Sequence, residues 1–340
     1  MRLSTHRSSG RIRSVPVRRH SIALACALAL LPAAAMGAEP TRGADGALSA
    51  QVVNSAEAIT GEAGLLRAQV LLDRAHFSPG EIDAGAGSNT RQAIVAYQRA
   101  HDLKPSGELD TATWESLNAE AADVLVRYTV TAADVAGPYA TLPDDIMEKA
   151  GLDALGYTSP LEMLAEKFHA SPRLLQRLNP DAAFDKAGTG LLVPNVADVA
   201  APGKAAKVVV DKSDSTVAIL DADGKVLAQF PASTGSEHDP LPIGEWKIDG
   251  VARDPEFHYN PDLFWDADAG HAKATIAPGP NNPVGVVWVD LSKPHYGIHG
   301  TPEPSKVGKT ESHGCIRLTN WSARVLADAV APGTAAVLQE

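Results

Sequence analysis

The 340-residue sequence predicts a multidomain α+β protein. It should hold a small three-helix bundle, a strand–helix–helix–strand (βααβ) middle segment, and a mainly β, sandwich-like C-terminal third. Three observations predict this. Apolar residues recur at helical spacing between 61 and 120. Gly- and Pro-rich stretches then break a mixed pattern across 125–196. After 205 the apolar residues alternate with a period of two. At this length the chain can bury two or three cores of ordinary size.

The N-terminus reads as an export signal. Arg2, Arg7, Arg11, Arg13, Arg18 and Arg19 precede an apolar run at 22–35, and the first acid is Glu39. A basic start, a short apolar run and an Ala-rich exit form the secretory pattern, and the run is too short to span a bilayer comfortably. Residues 1–38 are therefore expected to be a signal peptide cut between Ala35 and Ala38. The product is expected in the periplasm or cell wall, with no integral membrane segment after cleavage. This leader holds six of the 30 Lys and Arg residues and none of the 41 acids, so the remainder carries a net charge of −17. Such acidity argues against nucleic acid or an anionic membrane as partner. The leader also takes Cys26 with it, leaving Cys315 as the single cysteine. In an oxidising compartment that thiol has no internal partner, and is either buried and inert or free and reactive.

Residues 39–60 are small and polar and read as a flexible lead-in. In the bundle, Leu65, Ala68 and Leu72 share one helical face. A Gly/Pro/Asp-rich turn follows, and Thr90 is a candidate N-cap for a second helix carrying Ala93, Ile94, Tyr97 and His101. A third short helix starts near Asp110, with Trp114 and Leu117 facing inward. In the middle segment, 128–130 and 190–194 are strand-like. Leu161, Ala165 and Phe168 repeat at helical spacing, as do Leu174, Leu175 and Leu178 after Pro172. A long insert occupies 130–160. Residues 197–206 read as a linker. Beyond it, 207–211 and 216–220 read as strands, Asp223-Gly224 signals a hairpin into 226–230, and short strands continue to 287–291. A helix is expected at 321–330, before a last strand near 335–338.

The chemistry concentrates at 295–320, which reads HYGIHGTPEPSKVGKTESHGCIRLTN. Thiol catalysis needs a base that accepts the thiol proton. It needs donors for the oxyanion formed on attack, and backbone able to approach the substrate, which glycine permits. Ser312-His313-Gly314-Cys315 offers all three in outline. His313 lies two residues before Cys315 and would share its face in an extended segment. His299 would have to be brought in by the intervening loop, and spacing alone does not choose between the two histidines. Tyr296 and Trp288 read most simply as core or cleft-wall residues.

Three resemblances follow. The 65–117 stretch resembles the peptidoglycan-binding domain type 1 family through Leu71-Leu72, Glu81-Ile82-Asp83, Asn89-Thr90, Ala93, Tyr97-Gln98 and Leu109-Asp110 through Thr113-Trp114. The middle segment is similar to a LysM module, another glycan-binding family, apart from its long insert. From about 207 to 338 the chain resembles the L,D-transpeptidase catalytic domain of the YkuD-like family. That likeness is carried by His299-Gly300, the variable loop 301–311, Ser312-His313-Gly314-Cys315, Ile316 and Arg317. Ser233-Thr234-Gly235, Pro242-Ile243-Gly244, Gly285 and Tyr296-Gly297 extend it.

The last resemblance implies a β-sandwich with Cys315 in a cleft under a mobile loop. It implies that Cys315 attacks the diamino-acid carbonyl of a peptidoglycan tetrapeptide stem and releases D-Ala. His299 would be the base, and His313 would position or assist the thiol. The Gly314 and Cys315 amides would hold the oxyanion with support from Ser312. Arg317 and Tyr296 would meet the stem. The thioester would pass to a diamino-acid amine or a lipoprotein, or to water in an L,D-carboxypeptidase. Acylation by carbapenems is implied as well. The competing readings are a non-catalytic wall-binding scaffold and a zinc site of His299, His313 and Cys315. The complete His and Ser-His-Gly-Cys set argues against the first. Against the second, the spacing fits no zinc pattern, and a metal would occupy the nucleophile. No metal and no cofactor are expected.

Overall fold

The computed structural model describes residues 48–120, 122–196 and 199–340. The expected signal peptide and the start of the lead-in lie outside the described residues. The N-terminal helices are α1 (Ala50–Val53), α2 (Gly61–Arg74), α3 (Ser88–Ala100) and α4 (Thr111–Leu117). Asp110 caps α4, its side chain accepting from the Thr113 amide, as a short acidic side chain at that position should.

Two expectations change here. From Leu48 onward the lead-in is folded, not flexible. Leu48, Val53 and Ala58 are buried, and the Asn54 amide exchanges hydrogen bonds with both backbone groups of Leu125. These spaced apolar residues complete a core that three helices alone leave open. Thr90 is not a cap either, because α3 starts two residues earlier behind Gly87. Its buried hydroxyl instead accepts from Gln69 Nε2 at 3.1 Å.

The middle segment has the two expected strands and two expected helices, with a further short helix, α5, inside the insert. β1 (Leu125–Thr129) leads through α5 (Ile146–Lys149), α6 (Pro160–Lys167) and α7 (Pro172–Leu178) to β2 (Gly190–Pro194), which pairs antiparallel with β1. Ser159 and Ser171 cap α6 and α7, each followed by a proline in the first turn, where its missing N–H costs nothing. This segment has no core of its own. Leu66 and Leu72 of α2 belong to the same apolar cluster as Leu164, Leu174 and Leu191.

The C-terminal strands are β3 (Lys207–Asp211), β4 (Thr216–Leu220), β5 (Val226–Pro231), β6 (Gly244–Arg253), β7 (Phe257–Tyr259), β8 (Ala274–Ile276), β9 (Val287–Leu291), β10 (Gly297–His299), β11 (Ile316–Arg317) and β12 (Ala335–Gln339). Helix α8 (Asn320–Ala329) precedes the last of them. The expected sandwich takes the form of one curled eight-stranded sheet in the order β11-β10-β9-β6-β12-β3-β4-β5. Long β6 joins its two halves and carries a bulge between Ile248 and Gly250, the kind of irregularity that bends a sheet. One cluster collects Val217 and Phe230 from one end, Val289 and Ile316 from the other, and Leu326 of α8.

The helical unit also covers the β5 edge. Ser78 N–H donates to Gln229 O, and Gln229 N–H donates to His76 O, both at 2.9 Å. An exposed sheet edge invites aggregation, and this contact protects it.

Candidate active site

The residues singled out in 295–320 meet where β10 and β11 run parallel. His299 stands opposite Arg317, and Ile298 opposite Ile316. Alternation sends the two isoleucines into the core, both fully buried. It turns His299, Arg317 and, one step back, Cys315 toward the other face. Gly297 therefore lies beside Cys315, and its backbone hydrogen-bonds the thiol. The sulfur also sits 3.7 Å from the His295 carbonyl oxygen.

Two glycines make this approach possible. A Cβ on Gly297 would lie 2.5 Å from the Trp288 ring. Gly314 has φ +96°, and a Cβ there would lie 3.0 Å from the Tyr296 ring. Such a backbone suits glycine alone. Ser312 Oγ donates to the Cys315 carbonyl at 2.5 Å and closes the turn. Among the described residues, neither the Gly314 nor the Cys315 N–H donates a hydrogen bond.

His299 is 4 % exposed and stacks on Trp288, with centroids 5.5 Å apart and 16° between planes. Its Nδ1 lies 2.6 Å from the Gly300 carbonyl oxygen. A carbonyl only accepts, so Nδ1 carries the proton and Nε2 is the ring's acceptor. Burial, reinforced by Arg317, pushes the imidazole pKa down to about 4 against the opposing Gly300 bond. The Cys315 thiol is pushed up by burial, with the Gly297 backbone and Arg317 pulling the other way. At neutral pH both groups are therefore uncharged at rest.

His313 is turned elsewhere. Its Nε2 lies 3.0 and 3.1 Å from the two carboxylate oxygens of Asp266, and its Nδ1 lies 3.4 Å from Arg317 Nη2. Phe264 and Trp265 pack on the ring at 5.3 and 6.2 Å. Burial lowers the Arg317 pKa while Cys315 and Glu303 oppose it. No carboxylate among the described residues lies within ion-pair distance of this guanidinium. Burial first, then Cys315 and Asp239, raise the Tyr296 phenol.

Sequence reasoning missed Asp266, which lies 47 positions before His313 with no motif around it. It also gave Trp288 only a wall role, although the ring holds His299 in place. Among the described residues no group of three or more His, Cys, Asp and Glu side chains is placed to hold a metal ion. No helix among them is long and apolar enough to cross a membrane.

Comparison with known proteins matches two parts of the chain. Residues 205–338 match the model of the L,D-transpeptidase catalytic domain, YkuD, and 62–117 match a peptidoglycan binding domain. The L,D-transpeptidase YkuD of Bacillus licheniformis is 29% identical over 177 residues, covering 51% of this chain and 90% of the relative. L,D-transpeptidase YbiS of Escherichia coli K12 is 27% identical over 230 residues, covering 63% and 72%. L,D-transpeptidase YqjB of Bacillus subtilis is 30% identical over 139 residues, 39% of this chain and 70% of that one. On this likeness the chain belongs to the L,D-transpeptidase family, its YkuD-type catalytic domain following a peptidoglycan-binding domain.

Proposed function

We propose that the protein is an exported L,D-transpeptidase that carries the acyl group of a peptidoglycan tetrapeptide stem on Cys315. One observation carries this reading: Cys315 immediately precedes β11 and His299 closes β10, the parallel strand beside it, and Nε2 is the ring's acceptor because Nδ1–H donates to the Gly300 carbonyl. His299, not His313, is the base on that account, since both nitrogens of His313 face other groups.

Cys315 Sγ attacks the carbonyl carbon of the diamino-acid residue while Nε2 of His299 takes the thiol proton. The unengaged N–H groups of Gly314 and Cys315 stabilise the oxyanion. Collapse expels D-Ala, whose nitrogen receives the proton from the imidazolium, and leaves a thioester. The amine of a second stem, or of a protein, then attacks the thioester and regenerates the thiol. A 3→3 cross-link or a wall-anchored protein results. Water as acceptor gives the carboxypeptidase outcome. Arg317, which has no carboxylate partner among the described residues, receives a stem carboxylate, with Tyr296 beside it. His313, held between Asp266 and Arg317, positions that guanidinium. Export and a periplasmic or wall location rest on the leader sequence.

Incubation of the leader-free protein and of Cys315→Ala with disaccharide-tetrapeptide, read by mass spectrometry, tests the proposal. A Cys315-dependent dimer lacking one D-Ala is expected, as is a carbapenem adduct on the unmodified protein. An intact mass unchanged by carbapenem, with no turnover, would sink it.

A further inference from the structure

The loop 301–311 leaves His299-Gly300 and returns at Ser312-His313-Gly314-Cys315, so both ends of it carry catalytic candidates. It makes one 3-10 turn at Pro304–Lys306. Most of its hydrogen bonds are internal. Lys306 N–H donates to Glu303 O, Val307 N–H to Pro304 O and Lys309 N–H to Lys306 O, at 3.0, 3.2 and 3.0 Å. Among the described residues, only Ser233 and Asn89 hydrogen-bond this loop from outside it.

Ser233, just past β5, ties the loop to the catalytic strands. Its Oγ accepts from Gly308 N–H at 3.1 Å and donates to Lys306 O at 3.4 Å. Its backbone exchanges hydrogen bonds with Arg317 of β11, N–H to O at 3.0 Å and O from N–H at 2.9 Å. The two ends of the curled sheet therefore meet at Ser233, directly under the Val307–Gly308 turn.

The second anchor comes from the peptidoglycan-binding domain, 218 positions earlier. Asn89 stands in the first turn of α3, where side chains tilt toward the helix start and can reach past it. Its Nδ2 donates to Val307 O at 2.9 Å, and Val307 is 2 % exposed. The fit is close on the loop side. Gly308 has φ +73°, and a Cβ there would lie 2.6 Å from Asn89 Oδ1, so glycine alone permits the contact. A Cβ on Gly80 would lie 3.3 Å from Asn89 Nδ2 and 3.4 Å from Pro231 Cγ of β5. One turn further along the same face of α3, Gln92 Nε2 donates to Asp214 Oδ1 in the β3–β4 turn at 3.1 Å. That contact joins the two domains without touching the loop.

We propose that Asn89 is a positioning residue for the acyl transfer: it pins the Val307–Gly308 turn onto Ser233, and the loop so pinned holds His299 and Cys315 at their working separation. The inference rests on the reading of Cys315 as nucleophile and His299 as base. It adds that the helical domain is a working part of the active site. Asn89 touches no reacting atom and acts through the loop. Without its donor the Val307 carbonyl loses its partner, and the turn has to shift toward water. The shift passes to both ends of the loop, and a displacement of even an ångström between reacting groups slows chemistry far more than it weakens binding.

The test measures carbapenem acylation in the full leader-free chain, as a limiting rate and as the concentration that half-saturates it. Asn89→Ala should lower the limiting rate roughly tenfold or more and leave the half-saturating concentration in place. Asn89→Asp, which keeps the shape and loses the donor, should do the same. In both, the Gly308 amide should exchange with solvent faster, as followed by 15N NMR. Gly308→Ala, which drives a methyl group against Asn89 Oδ1, should reproduce the loss from the other side of the contact. Gln92→Ala should acylate at the unmodified rate with Gly308 still protected. Asn89 variants with an unaltered limiting rate would overturn the proposal. So would an equal loss in Gln92→Ala, or melting temperatures that fall in step with the rates, since either would reduce Asn89 to holding the domains together. Failure of the unmodified protein to acylate would instead overturn the enzymatic reading, so the two failures are distinguishable.

Discussion

At the residue scale the decisive feature is a neutral pair. Many thiol enzymes hold a thiolate beside an imidazolium, but here burial acts on both groups in the direction that removes charge. The proton must therefore move during attack, when the developing oxyanion meets its donors. Iodoacetamide, which offers no such donors a charge to stabilise, is expected to alkylate Cys315 slowly at pH 7. Its rate should climb only on the alkaline side of an ordinary thiol pKa. A plateau already reached at pH 7 would contradict the neutral pair.

The histidine makes a separate prediction about stability. Its folded pKa of about 4 lies below the ordinary value near 6.5. Its contribution to stability is thus fully present above pH ~6.5 and is lost as pH falls toward 4. The size is about 3 kcal/mol by proton linkage. Urea melts of the unmodified protein and of His299→Gln should accordingly converge by roughly that amount between pH 7 and pH 4. Parallel pH profiles would show that His299 is not the group being protonated. Both candidate residues were legible in the sequence, because Ser-His-Gly-Cys and His-Gly stand as local strings. Their protonation states were not, since these depend on Trp288, Gly300 and Arg317 as neighbours in space.

At the scale of elements, β10, β11 and the start of α8 form the frame that sets this geometry. Gly285 sits at φ +61°, and a Cβ there would lie 2.1 Å from Asn320 Oδ1 and 2.7 Å from the Gly300 carbonyl carbon. Asn320 in turn receives the Val286 N–H at 3.2 Å and donates to Pro280 O at 3.1 Å. Gly285→Ala would therefore push the asparagine against the very residue that orients His299. We expect a loss of about 3 kcal/mol or more, from backbone strain and a broken buried network together. Carbapenem acylation should slow even where the variant remains folded. A variant with unaltered melting and acylation would show that the frame has slack. Elements of this kind are legible where a local signal exists. The Asp223-Gly224 turn forms as read, with Gly224 at φ +82° and the Asp221 carboxylate accepting from the Asp223 and Lys225 amides. Thr90 misled because Gly87, with no side chain to cap α3, left a better-looking residue two positions inside.

At the scale of the whole molecule, the boundaries read from composition are not boundaries of packing. The bundle and the middle segment share one core, and the insert before α6 belongs to the C-terminal domain. Leu155, fully buried, forms a third cluster with Tyr259 and Ile276 of the β7–β8 hairpin. Its backbone donates to Pro278 O at 2.9 Å and accepts from Asn281 N–H at 3.0 Å. Asp145 of the same insert lies 3.1 Å from His271 Nε2, whose Nδ1 meets the Tyr259 hydroxyl at 3.0 Å. No local pattern announces contacts across more than a hundred positions. The insert that set the middle segment apart from a LysM-like pattern in the sequence packs instead on the C-terminal domain.

This packing has a consequence for the site, because Phe264, Trp265 and Asp266 follow β7 and pack on His313. Leu155→Ala should cost about 2–5 kcal/mol locally through the cavity it leaves. Hydrogen exchange should show lost protection at 257–276, with β3 and β4 protected as before. With the hairpin loosened, Asp266 should hold His313 less firmly, so the rate of carbapenem acylation should change while the fold persists. Uniform loss of protection across the sheet would mean that Leu155 supports the molecule as a whole. Unchanged exchange at the hairpin would mean that the insert rests on the catalytic domain without bracing it.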